Sequence, residues 1–92
     1  MRESYIESEF RKRCEQNRWL CLKLTHFNGI PDRLVIFPDG KVSFVELKRP
    51  GGRVRAIQAH TIAQLISMGH DAVILDSIDA LREWVHAKGG QW

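Results

Sequence analysis

The stretch "RLVIFPDGKVSFVELK", Arg33–Lys48, decides how this chain folds. Two runs of β-branched and aromatic residues flank Pro38-Asp39-Gly40, a turn signal in which Gly40 suits the left-handed position, so the segment reads as a β-hairpin. A three-residue loop built on a type I turn plus a bulge pairs Phe37 with Lys41, and counting back along the ladder sets Asp32 opposite Glu46. Side chains alternate along a strand, so Val42, Phe44, Glu46 and Lys48 share one face while Ser43, Val45, Leu47 and Arg49 share the other. Directly opposed residues have Cβ atoms about 4.5–5.5 Å apart, and two carboxylates placed so repel one another. Lys48 relieves them only in part, and a divalent cation would do so fully. A Glu and Lys at i, i+2 also have a bland reading, a solvated ion pair worth under ~1 kcal/mol. Apolar neighbouring strands and a helix crossing the same sheet weigh against it.

Outward from the hairpin, Ile6, Phe10 and Cys14 recur every four residues behind a Ser4/Glu7 capping-box pattern, which predicts an amphipathic helix over 4–17. "WLCLKL", Trp19–Leu24, is a strand and "THFNGIPD" a loop. After Pro50-Gly51-Gly52, "AIQAHTIAQLISM" has helical periodicity and ends at Gly69. "AVIL", Ala72–Leu75, is a short buried strand, so strand, helix and strand form a right-handed crossover with Ala72–Leu75 parallel to Val42–Lys48. Ser77 or Asp76 caps a last helix whose apolar positions are Ile78, Leu81, Trp84 and Val85, followed by Gly89 and Gly90 and a loose tail over 89–92. The order is α-β-β-β-α-β-α, an α/β fold with a small mixed sheet flanked by helices. Trp84 has two readings, core or an apolar interface.

Two further side chains bear on the carboxylates. Gln58 falls near the middle of the apolar stripe formed by Ile57, Thr61, Ile62, Leu65 and Ile66. It is either a core amide satisfied by backbone or a side chain that reaches the carboxylates from the first turn of the helix. Glu7 is explained by the capping box, yet it lies close enough to the apolar face of the first helix to reach toward the sheet; Glu9 is further round. His60 and Gln64 point away from the stripe.

Composition sets the outer bounds. Ninety-two residues, 43% hydrophobic and 27% charged, suit one compact domain. The longest apolar runs fall far short of the ~18 residues of a membrane span, and "MRESYIESEF" lacks the apolar core of a signal peptide, so a cytoplasmic location is expected. Cys14 and Cys21 have neither zinc nor redox spacing and read as small apolar residues; His26, His60, His70 and His86 lack metal-site spacing and read as surface or loop. The net charge of +3 permits a polyanionic partner, with clusters at Arg11-Lys12-Arg13 and over Lys48–Arg55.

"GIPDRLV" at Gly29–Val35, "FVELKRPGG" at Phe44–Gly52 and Gln58 in the following helix resemble the virus-type replication-repair nuclease domain, VRR-NUC, of the PD-(D/E)xK superfamily. The likeness runs from Tyr5 to Trp84. It implies a restriction-endonuclease-like α-β-β-β-α-β core plus a C-terminal helix, in a single nuclease domain over 1–92. It also implies an Mg2+- or Mn2+-dependent endonuclease of a bacterial or phage-infected cell. By resemblance Asp32 and Glu46 are metal-binding acids, Lys48 is the catalytic lysine, Gln58 the helical glutamine, and Glu7 the acidic residue of the first helix, a catalytic and metal-site position. Short stand-alone members of the family are homodimers that cut branched DNA, four-way (Holliday) junctions included. Arg33, Arg49, Arg53 and Arg55 are then candidates to grip phosphates, Arg33 being the one with the strongest structural alternative. Two other readings stand beside this one: a flap or nicking nuclease without junction preference, and a non-catalytic DNA-binding accessory domain.

Overall fold

In the computed structural model, which describes residues 2–25 and 28–92, the elements run α1 (Glu3–Gln16), β1 (Leu20–Lys23), β2 (Arg33–Ile36), β3 (Val42–Leu47), α2 (Ala56–Ser67), β4 (Asp71–Leu75) and α3 (Ile78–Ala87). The four strands form one mixed sheet in the order β1-β2-β3-β4; β3 and β4 are parallel and the other two pairings antiparallel. This is the predicted α/β arrangement, with the β3-α2-β4 crossover in place.

The hairpin turn has the expected chemistry. Gly40 N–H donates to Phe37 C=O (2.9 Å), Phe37 N–H donates to Lys41 C=O (2.9 Å), and Gly40 has φ +89°. A type I turn closed by a left-handed glycine sets the register Arg33↔Val45 and Ile36↔Val42, which continues to Asp32 opposite Glu46.

One face of the sheet is the core. Val35, Phe37, Val45, Leu47 and Leu75 are buried there against Ile6, Phe10 and Cys14 of α1 and Leu81, Trp84 and Val85 of α3. Phe10, Trp19, Phe37 and Trp84 meet in an aromatic cluster with ring centroids 4.9–6.1 Å apart. Such pairs add about 0.5–1.5 kcal/mol each beyond area burial. Trp84 is thus core, which removes it as an interface. Ser77 caps α3, its hydroxyl accepting from Ala80 N–H at 3.0 Å.

Three local expectations are corrected. Helix α1 starts at Glu3 with Arg2 as N-cap and no side-chain cap, so Ser4 lies inside the helix and the Ser4/Glu7 box does not form; Glu7 is free for another partner. The stripe on α2 is only half covered. Gln58 and Ile62 are buried, but Ile57 is 44% and Ile66 55% exposed because α2 lies over β4 at the edge of the sheet. The tail is docked rather than loose. Gln91 N–H donates to Asn17 Oδ1 (2.8 Å), Gln16 Nε2 donates to the Trp92 carbonyl (3.0 Å), and the Arg13 guanidinium stacks 3.8 Å over the Trp92 ring. Among the histidines, His60, His70 and His86 are exposed as expected, and His26 lies outside the described residues.

Gly29, just ahead of Asp32, ties the β1–β2 loop to α2. Its φ is +83°, and a Cβ added there would sit 2.6 Å from Ile57 Cγ1. We expect Gly29→Ala to cost about 1–3 kcal/mol in chemical denaturation. Adding Ile57→Ala should restore the steric part and leave roughly 1 kcal/mol from the left-handed backbone, a coupling that a double-mutant cycle measures.

Candidate active site

Asp32 and Glu46 face each other at one end of the β2–β3 ladder, on the sheet face opposite the core. Their contact is reciprocal through the backbone: Asp32 N–H donates to Glu46 Oε1 (3.1 Å), and Leu47 N–H donates to Asp32 Oδ1 (3.3 Å). The Asp32 carbonyl accepts from Leu24 N–H at 2.8 Å, which fastens the same residue to the chain leaving β1. Each carboxylate is therefore aimed by hydrogen bonds that its neighbour's strand supplies.

Glu46 is 3% exposed and carries two more partners, both on Oε2: Gln58 Nε2 donates at 3.0 Å and Lys48 Nζ lies at 3.3 Å. Gln58 also accepts from Arg55 N–H through Oε1 at 3.1 Å, so both ends of this buried amide are satisfied. Both of its readings are present at once: the oxygen is satisfied by backbone, and the amide nitrogen reaches from the first turn of α2 to a carboxylate. Gln58 is in that first turn, so the N-terminal turn of α2 lies near Glu46.

The electrostatics are under-compensated. Burial, and next the Glu46 carboxylate, push the Asp32 carboxyl up from 3.8 to about 6, although the Arg33 guanidinium and the Leu47 N–H act in the opposite direction. Only Oδ1 of Asp32 has a hydrogen-bond donor among the described residues. A raised acid with an open oxygen beside a second carboxylate is the donor chemistry of a hard divalent cation, and magnesium commonly takes one or two protein carboxylates plus water and phosphate oxygens. Asp32 and Glu46 fit that demand.

Glu7 is placed elsewhere. Its carboxylate pairs with Arg33 at 2.6 Å, and Arg33 in turn donates through Nη1 to the Asp32 carbonyl at 3.3 Å. No group of three or more His, Cys, Asp or Glu side chains that could hold a metal occurs among the described residues, so Glu7 does not complete a three-carboxylate set here. Arg33 is 2% exposed. That corrects its assignment to phosphate binding: a guanidinium sealed beneath α1 cannot reach a DNA backbone. The Glu7–Arg33 pair, on the core side, is what sequence reasoning missed; the two are far apart in the chain, and their only signal was opposite charge. A cavity of about 450 Å³ opens beside it, between Arg11, Cys21, Lys23 and Arg33, across the sheet from the carboxylates. Arg49, Arg53 and Arg55 are exposed, on the segment that turns from β3 into α2.

This arrangement of sheet and helices has a counterpart among solved structures. A structure described as a VRR_NUC domain superposes with a TM-score of 0.82, covering 91% of this chain and 94% of that one at 23% identity. The chain has the VRR-NUC fold. In sequence it is 47% identical over 51 residues to "Putative nuclease p44" of Acyrthosiphon pisum secondary endosymbiont phage 1. That match covers 55% of this chain and about half, 55%, of the phage protein's length. No protein-family model matches the chain. No helix of the described residues is long and apolar enough to cross a membrane.

The raised Asp32 has a stability consequence whose sign follows from linkage. An acid whose folded pKa lies above its unfolded value destabilises the native state increasingly as pH rises from about 4 through about 6. We expect Asp32→Asn, which keeps the acceptor for Leu47 N–H, to stabilise the metal-free protein above that window. The gain should be on the order of 1–3 kcal/mol. Thermal melts in chelator at acid and neutral pH check this: the variant and wild type should converge on the acid side, and added magnesium should raise the melting temperature of wild type only.

Proposed function

We propose that this chain is a metal-dependent DNA endonuclease that hydrolyses phosphodiester bonds at the Asp32–Glu46 end of the sheet. The reading rests on one observation, two apposed carboxylates with a lysine and a buried glutamine converging on the same Glu46 oxygen. The VRR-NUC fold and the phage relative described as a nuclease support it.

Asp32 and Glu46 would hold Mg2+ or Mn2+, which when bound supplies Lewis acidity at a phosphate oxygen and charge to offset that of the transition state. Lys48, directed toward the site by its contact with Glu46, orients the attacking water and offers its ammonium to charge building on phosphorus. In-line attack breaks the bond between phosphorus and the leaving 3′ oxygen, giving a 5′-phosphate and a 3′-hydroxyl. Gln58 and Glu7 act as positioning residues. Gln58 holds the Glu46 carboxylate in its rotamer, and Glu7 works through Arg33 on the backbone of Asp32. Arg49, Arg53 and Arg55 contact flanking phosphates, which gives sequence-independent binding that weakens with salt.

Selection of a branched duplex, four-way junctions included, would come from two such sites in a homodimer, because arginines on phosphates carry no sequence information. An accessory DNA-binding domain without catalysis is disfavoured by the cost of Asp32: a module that never binds a cation gains nothing from two opposed carboxylates.

The test is cleavage of labelled linear, flap and four-way-junction DNA by wild type, Lys48→Ala and Glu46→Gln, with magnesium, manganese or chelator. We expect metal-dependent cutting, strongest on the junction, and a loss of about 10²–10³-fold in Lys48→Ala. Cutting in chelator, or undiminished cutting by Lys48→Ala, would overturn the mechanism. Equal cutting of all three substrates would remove the junction preference and leave a flap or nicking nuclease. Triple replacement of Arg49, Arg53 and Arg55 by Ala should weaken binding uniformly across sequences and lower the salt slope by about 2–3 in a fluorescence titration.

A further inference from the structure

The two cysteines have no redox spacing in the chain, yet the fold sets them side by side. Cys14 lies on the buried face of α1 with Ile6 and Phe10, and Cys21 lies on β1 two residues after buried Trp19, on the same side of the strand. The turn between them is tight: Trp19 N–H donates to the Cys14 carbonyl (2.9 Å), and Arg18 takes the left-handed conformation with φ +61°. Helix α1 packs on β1, and the two thiols, neither of them bonded, are in hydrogen-bonding contact. Both line the cavity of about 450 Å³ beside Glu7 and Arg33.

The two thiols are not equivalent. Cys14 is 1% exposed, whereas Cys21 is half-buried and faces a cavity with ample room for a water-sized solute. Their contact sorts the proton. Hydrogen bonding to Cys21, and next burial, pushes the Cys14 thiol up. The hydrogen bond from Cys14, helped by the charges of Arg33 and Arg11, pulls the Cys21 thiol down against burial and the Asp32 carboxylate. Of the other charged groups around the cavity, Lys23 acts with these arginines, Glu15 acts against them, and Glu7 is paired with Arg33.

From this geometry we infer that Cys21 and Cys14 form an oxidant-sensitive pair, in which Cys21 is the site modified by hydrogen peroxide and Cys14 the thiol that resolves it. The inference goes beyond the nuclease reading and does not depend on it. In the first step the Cys21 sulfur attacks one peroxide oxygen and the O–O bond breaks. The departing hydroxide takes up the proton that the thiol lost and leaves as water, and the sulfur is oxidised to a sulfenic acid. In the second step the Cys14 sulfur displaces the sulfenic hydroxyl, which leaves as water with the Cys14 proton, and the S–S bond forms. Two thiols and one peroxide give one disulfide and two waters; an external dithiol reverses the change by exchange and is itself oxidised. With only two cysteines in the chain, the intramolecular pairing has one solution. The bond would join two elements that both reach Asp32. Helix α1 carries Glu7, whose partner Arg33 donates to the Asp32 carbonyl, and the chain leaving β1 donates to the same carbonyl through Leu24 N–H.

Intact mass and thiol labelling of the full chain, without DNA or metal, test the pair. One equivalent of peroxide should remove both thiols and about 2 Da from the single-chain mass, and dithiothreitol should restore them. An ordinary thiol is only ~3% thiolate at pH 7, and a more acidic thiol is also a weaker nucleophile, so the folded chain should react about three- to tenfold faster than the same chain in urea. Cys14→Ala should stop at the sulfenic acid, which dimedone traps on Cys21. Cys21→Ala should keep a Cys14 thiol that peroxide and alkylating reagents leave untouched while the chain is folded. Circular dichroism checks that both variants fold, and the wild-type masses need no variant. Two free thiols in peroxide-treated wild type, a bond between chains in place of one within the chain, no rate advantage over urea, or reaction of folded Cys21→Ala at the wild-type rate would each overturn the assignment. Mass is read independently of cleavage, so failure of the thiol pair and failure of the nuclease reading are separate results.

Discussion

The contact between Asp32 and Glu46 across the β2–β3 ladder is where the fold and the site are the same object. Asp32 N–H donates to the Glu46 carboxylate and Leu47 N–H to the Asp32 carboxylate, so each acid satisfies a backbone donor at the end of its neighbour's strand. A one-residue slip of the hairpin would send one acid to the opposite face of the sheet and expose half of the core. The register that buries Val35 and Val45 is thus also the register that brings two carboxylates together. Like charges at such range cost stability, and Asp32, raised to about 6, carries that cost in the folded state. Gln58 and Lys48 direct Glu46 without removing the conflict.

The sheet then divides the work between its faces. On one side α1 and α3 close a core with four aromatic rings at its centre. Beneath α1 on that side, buried Arg33 pairs with the part-exposed Glu7 carboxylate and donates to the Asp32 carbonyl. A buried arginine is strongly destabilised if its partner is lost, so Glu7 has a structural reason to be where it is that needs no metal. On the other side α2 leans over β4 and covers little more than Glu46 and the strands nearest it. The remaining face is largely apolar, with Leu20 and Leu22 exposed.

Much of this was legible in the chain because local rules dominated locally. Pro38-Asp39-Gly40 admitted one turn, the turn set one register, and the register placed Asp32 against Glu46. Periodicity placed Ile6, Phe10 and Cys14 on one side of α1 and Leu81, Trp84 and Val85 on one side of α3. The errors fell where an outcome depended on a distant element. Ser4 and Glu7 have the pattern of a capping box, but Arg33 offers Glu7 a buried, charge-assisted partner that a helix cap cannot match. The two glycines near the C-terminus suggested a free tail, while Asn17, Gln16 and Arg13 on and just beyond α1 hold residues 91–92 in place. The apolar stripe of α2 suggested burial, and only half of it found anything to pack against.

By itself the sequence determined the hairpin register, the order of helices and strands, and the convergence of Asp32, Glu46 and Lys48, because turn geometry and strand alternation act over a few residues at a time. Only the tertiary structure decided what each charged or apolar side chain meets. It gave Gln58 to Glu46, Glu7 to Arg33 rather than to the carboxylates, Trp84 to the core, and left Leu20 and Leu22 uncovered. The reason is physical: periodicity tells which way a side chain points, while its partner is set by the packing of elements far away in the chain.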